Sequence, residues 1–83
     1  MKWKWNKAMN GYYYTEPDKN SFYQIEVYKN GYGKWQYAAK IYYPKYDDFG
    51  YLSGAFRDSL GDAKKIIKEH YVEKLKARKK RTK

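Results

Sequence analysis

Apolar and polar residues alternate with a period of two through much of the first 57 positions and then switch to a helical period. Trp3 and Trp5 flank Lys4, with Lys2 before them, which predicts a strand with rings on one face and ammonium groups on the other. Asn10-Gly11 is the pair best suited to positive φ in a two-residue hairpin turn, and residues 12–15 follow as the return strand. Glu16-Pro17-Asp18-Lys19-Asn20 is dense in turn formers and is expected to break that strand. Residues 22–29 carry the clearest alternation, with Tyr23, Ile25 and Val27 opposed to Phe22, Gln24, Glu26 and Tyr28. Asn30-Gly31-Tyr32-Gly33 reads as a hairpin connection. Residues 34–43 resume the pattern, setting Trp35, Tyr37, Ala39 and Ile41 against Lys34, Gln36, Ala38 and Lys40. Pro44 ends pairing because it has no amide hydrogen to donate, and residues 45–50 read as a loop. A last strand over 51–57 would place Leu52 and Phe56 together, with Gly54 marking a bulge or a close contact.

Ser59 is a helix cap, with Asp62 three residues on as a weak capping box. From Leu60, the positions Ala63, Ile66, Ile67, His70 and Tyr71 form a stripe about 140° wide at ~100° per residue, suited to face a core. After Tyr71 only Leu75 and Ala77 continue it, and beyond residue 78 the chain has nothing to pack and is expected to fray. The expected fold is α+β: a curved antiparallel sheet of three to five strands, then one C-terminal helix packed on one face. Residues 1–73 would form the single domain and 74–83 a basic tail.

Composition explains how so short a chain fills a core. It has 12 Tyr, 3 Trp and 3 Phe against only 4 Ile, 2 Val and 3 Leu. Each large ring buries about 150–250 Å², so few are needed. The absence of cysteine removes disulfides, thiolate catalysis and Cys-based metal sites. The longest apolar run is far short of the ~20 residues of a membrane span, and the first residues lack the apolar stretch of a signal peptide. A cytoplasmic location is the expectation, with no membrane span.

Charge then narrows the partner. The net charge is +10, and residues 64–83 hold ten Lys or Arg against Glu69 and Glu73 alone. Within the last ten residues, Lys74, Lys76, Arg78, Lys79, Lys80, Arg81 and Lys83 contain no acid between them. Such an arm attracts phosphates and releases counterions, reading charge rather than sequence. Its plainer reading is a solubilising tail. On the sheet face away from the expected core, Tyr28, Tyr42, Lys34 and Lys40 would set rings among lysines, as in a stacking platform for unpaired bases. The plainer reading is that these rings cover the sheet or form a homodimer interface, and Glu26 on that face opposes the platform. With one His, three Ser and no ligand-spaced acidic cluster, the chain reads as non-enzymatic and without cofactor or metal. His70, on the apolar stripe, reads as a packed, hydrogen-bonded residue.

The run from Gly54 to Lys64 has the pattern G-x-F-x-x-S-L-x-x-A-K, preceded by a Trp-containing hairpin. Over residues 21–72 this resembles small phage and prophage proteins of sheet-then-helix build, and more loosely the N-terminal DNA-binding domains of phage-type integrases. The resemblance implies a sheet face entering the major groove through Lys34, Gln36, Lys40 and Tyr42. The chain departs from the integrases in its Trp-rich N-terminal segment and in carrying no catalytic domain. Small phage proteins also include inhibitors of host defence nucleases, such as anti-CRISPR proteins, which would place it in the host cytoplasm. Three readings therefore stand at this stage: a nucleic-acid-binding accessory protein, with DNA and RNA both open; a phage-encoded inhibitor that binds a host protein; and, third, a structural virion or ribosome-associated component.

Overall fold

A hairpin forms at Asn10-Gly11, but not as the expected two-residue turn: the Ala8 amide bonds the Tyr12 carbonyl across the three residues between them. Of the Asn-Gly pair only Gly11 takes a positive φ, +89°, while its amide bonds the Ala8 carbonyl and the Asn10 Oδ1 accepts from the Tyr12 amide. The computed structural model describes residues 3–81, with side chains described for 3–77. Five strands, β1 (Asn6–Lys7), β2 (Tyr13–Asp18), β3 (Ser21–Lys29), β4 (Trp35–Tyr43) and β5 (Asp48–Arg57), pair antiparallel in sequence order, followed by one helix, α1 (Leu60–Arg81). This is the α+β architecture expected from the alternation.

Local chemistry sets most boundaries. Asn30 closes the β3–β4 hairpin, its Oδ1 accepting from the amides of Tyr32 and Lys34. Ser59 caps α1 through its Oγ, 3.1 Å from the Asp62 amide. Several edges differ from the expected ones. Only Asn6 and Lys7 of the Trp-rich segment pair with β2 through the backbone; before them, the Lys4 carbonyl accepts from a β2 side chain instead, Thr15 Oγ1 at 2.6 Å. Glu16-Pro17 does not end β2. Pairing shifts by one residue there and resumes at Asp18, so the turn is Lys19-Asn20, closed by the Asp18 carboxylate on the Asn20 amide at 2.8 Å. β5 begins at Asp48 rather than 51, opposite Tyr43.

The largest correction concerns β5. Ala38 pairs with Phe56 and Lys40 with Tyr51, so one residue of β4 lies opposite four of β5. Three surplus residues form the bulge, and Gly54 within it takes a φ of +66°, open to glycine without strain. An odd insertion reverses side-chain parity beyond it. Leu52 and Ala55 therefore face the helix and are buried, whereas Phe56 lies on the opposite face and is 54% exposed. Leu52 and Phe56 do not share a face.

The core lies between one sheet face and α1: Tyr23, Ile25, Ala39, Ile41, Leu52 and Ala55 meet Ala63, Ile67 and Tyr71. The helix crosses diagonally, from β5 near Arg57 to the β2–β3 turn, where Tyr71 Oη bonds Asp18 (2.7 Å) and Lys74 Nζ bonds Ser21 Oγ (2.9 Å). Leu75 still packs against the core. The boundary expected between 73 and 74 falls within α1, whose helical span runs to Arg81.

Candidate nucleic-acid interface

The two faces of the sheet have opposite characters, and the expected site residues divide between them. On the face away from α1, Glu26 is the organising group. Its carboxylate accepts from Tyr12 Oη (3.0 Å) and Tyr51 Oη (2.8 Å) and lies 3.7 Å from Lys40 Nζ. Burial alone would raise this carboxyl, but the two hydroxyls and the ammonium reverse that and hold it below the usual range. The same bonds raise the Tyr12 and Tyr51 phenols. Lys40 Nζ also sits over the rings of Tyr51 (4.9 Å) and Phe49 (5.9 Å). The remaining rings turn to each other. Tyr14 stacks on Phe22 at 5.8 Å, Tyr42 packs on Phe49 at 5.2 Å and bonds Asp47, and Tyr28 meets Phe56 edge-on while donating to Gln36.

Of the expected platform, Lys40, Tyr28 and Tyr42 are therefore brought together but engaged with the protein itself. Lys34 lies outside the ladder at the β3–β4 hairpin, exposed. The helix residues Lys74 and Lys76 are on the other side of the sheet from this face. Lys74 is bonded to Ser21, and Lys76 lies 3.8 Å from Glu73 in an exposed i,i+3 pair. The side chains of Arg78, Lys79, Lys80 and Arg81, like Lys2, lie outside the described residues.

The helix side carries a different arrangement. Trp3 and Trp5 stack at 6.4 Å beside α1, with Trp3 edge-on to Tyr71. Lys64 and Lys68, one helical turn apart, place their ammonium groups 5.4 Å from the Trp5 ring and 6.0 Å from the Trp3 ring. Lys64 also lies 5.9 Å from Tyr13, which Lys7 covers from 5.7 Å. Farther along, Lys29 sits 5.4 Å over Trp35, which is 56% exposed. Four lysines and four rings thus form a band along β1, β2 and the β3–β4 hairpin end. The two ion pairs among the described residues involve neither these lysines nor this band. A ring face attracts an ammonium group without neutralising it, so each keeps a full charge for an outside anion.

The alternation sets Trp35 and Tyr37 on the core-facing side, and Lys64 and Lys68 belong to the basic 64–83 segment expected to attract polyanions, but the sequence pattern does not single out Lys7, Lys29, Lys64 and Lys68 as a site. The available signal was Lys64 and Lys68 at i,i+4 on the flank of the apolar stripe, beside a Lys-Trp alternation. Elsewhere on this side, His70 Nδ1 lies 2.9 Å from Tyr23 Oη; burial, then Lys74, lowers the imidazole, and burial pushes Tyr23 up to about 12. No helix among the described residues is long and apolar enough to cross a membrane. No family model, curated protein or solved structure matches the chain.

Proposed function

We propose that this chain is a small nucleic-acid-binding protein that acts by binding alone. Its contact surface is the band of Lys7, Lys29, Lys64 and Lys68, continued by the basic C-terminal half of α1. The supporting observation is that these four ammonium groups lie 5.4–6.0 Å from aromatic centroids and that, among the described residues, no carboxylate is paired to them. Held on rings, they meet phosphates without first breaking an ion pair, and each phosphate contact releases counterions.

The four band lysines alone contribute about −3 to the slope of log affinity against log salt on single strands, at about −0.7 per contact, and contacts from the basic end of α1 add to it. Replacing Lys64 and Lys68 by Gln should reduce that slope by about 0.7 per lysine, whereas Lys45→Gln at the opposite end should leave it unchanged. An affinity indifferent to salt between about 50 and 200 mM would refute the proposal. Any truncation of the basic end must begin after residue 77, since Lys74 and Leu75 are part of the packed helix.

A second reading rests on the outer edge strand. β5 exposes Tyr51 (51%) and Phe56 (54%), and Tyr46 (71%) lies in the loop before it, a set of rings suited to anchor a protein partner or a second copy of the chain. Stoichiometric capture of one protein after nuclease treatment, without binding to free oligonucleotides, would favour it.

A further inference from the structure

The helix covers the core but leaves the β3–β4 hairpin end of its own sheet face open. There, Lys7, Asn10, Tyr13, Val27, Trp35 and Tyr37 line a cleft of about 340 Å³, with Gly11 at its rim. That volume is at the small end of the roughly 300–1,000 Å³ of ligand clefts, enough for a single planar group rather than a bulky one. Its apolar lining comes from Val27 and the rings of Tyr13, Trp35 and Tyr37. No acid lines it. Positive charge stands at both ends, Lys7 and Lys64 over Tyr13 and Lys29 over Trp35. A larger cleft beside the β2–β3 turn lacks this character, because Glu16 and Lys19 oppose each other in its lining.

We infer that this cleft takes one unpaired nucleobase of a single-stranded nucleic acid, stacked on Trp35, with the phosphates on either side held by Lys7 and Lys29. The inference rests on the proposed nucleic-acid binding and assigns it a strand type. Charge complementarity selects the occupant: a flat apolar group flanked by anions is what the lining rings and terminal ammonium groups fit together. In duplex the base faces are already stacked on one another and cannot enter. Lys29 does not block the Trp35 face. An exposed ammonium–ring contact is worth roughly two- to fivefold in an equilibrium, and a stacked base roughly 5- to 150-fold, so the base displaces the ammonium toward its phosphate.

The test uses the full chain with labelled oligo(dT) and oligo(U), a duplex, and heparin as a polyanion without bases. Trp35→Ala should weaken both single strands roughly 5- to 150-fold while leaving heparin and duplex within about twofold. Trp35→Phe, which keeps a stacking ring, should recover most of the loss. Trp35 is more than half exposed, so an unchanged far-UV circular dichroism spectrum is expected for both variants. Equal weakening of every ligand, or no weakening of the single strands, overturns the assignment of the cleft while leaving charge-driven binding intact. Failure of the unaltered protein to bind either heparin or oligonucleotide at low salt overturns the proposed function itself, and this inference with it.

Discussion

Replacing Glu26 by Gln tests whether the outer sheet face is a scaffold or a binding surface. The carboxylate accepts two phenol hydroxyls and faces an ammonium, and the Glu26 and Lys40 side chains are only 23% and 18% exposed. Each bond to the charged oxygen contributes about 2 kcal/mol, within the usual 1.5–3, and falls to about 1 against a neutral amide. The amide offers one carbonyl oxygen, but a hydroxyl can turn and accept from the amide nitrogen, so both contacts persist in weaker form. Two such losses, with an ion pair at 3.7 Å that keeps some exposure and adds under 1 kcal/mol, total about 2–3 kcal/mol. A chain of this size has a stability of roughly 4–12 kcal/mol, so that is a large fraction of it. The expected fall in Tm is about 10–20 °C, at 4–8 °C per kcal/mol for a domain of 60–100 residues. Calorimetry with Glu26→Gln, Lys40→Met and the double variant completes the assay. If the network is a unit, the double variant loses less than the sum of the singles. A Glu26→Gln loss below about 0.5 kcal/mol, or strict additivity with Lys40→Met, refutes the reasoning.

Two further outcomes follow from the same structure. Gly54→Ala should cost about 1–2 kcal/mol of backbone strain, because the Arg57 guanidinium 3.2 Å from the new Cβ can move away, and Gly54→Asn should cost less since Asn tolerates the left-handed region; equal losses in urea titrations would speak against that conformation. Stability should fall on acidification. The Asp18 carboxyl is held low chiefly by the Tyr71 hydroxyl, and Glu26 is lowered as well. Their contribution is therefore full above unfolded values of about 3.9 and 4.3 and is lost as pH falls through the lower folded values. His70, also lowered, adds a milder loss that begins as pH drops below about 6.5, where the unfolded chain takes up a proton first. Urea midpoints that rise between pH 7 and pH 3 would contradict this sign.

How much was legible depended on the range of the interaction. Asn10-Gly11, Asn30 and Ser59 act within four residues of themselves, and each marks a turn or cap at its place in the chain, although the Asn10-Gly11 loop holds three residues rather than two. The parity of β3 was equally readable, Tyr23 and Ile25 inward and Glu26 outward. Gly54 announced a bulge, but the number of surplus residues is fixed by how β5 meets β4, and that number decides whether Phe56 faces the core. The Lys-Trp alternation looked like strand because period two is a strand signal. Its Trp residues instead flank the helix, where Tyr71, Lys64 and Lys68 supply contacts more than 55 positions away. Lys40 was drawn to the binding site by its exposed-looking register; the tyrosines that commit it to Glu26 lie on β5 and just ahead of β2.

The two faces differ for one electrostatic reason. Lys40 and the helix-side lysines all sit over rings, so proximity to aromatics does not separate them. The carboxylate does: Glu26 cancels Lys40 within the fold, whereas no described carboxylate pairs with Lys7, Lys29, Lys64 or Lys68. Lys64 shows the consequence most clearly. Its ammonium is shared between Trp5 and Tyr13, linking the Trp pair to the hairpin cleft, and two ring contacts of about 0.5–1 kcal/mol each fix its position without cancelling its charge. An arriving phosphate therefore meets a cation that is already placed and not yet neutralised, and the entropy of ordering a lysine side chain, up to about 2 kcal/mol, has been partly met by folding. A strand carrying phosphates along this line gains most from the side of the sheet that folding left uncancelled.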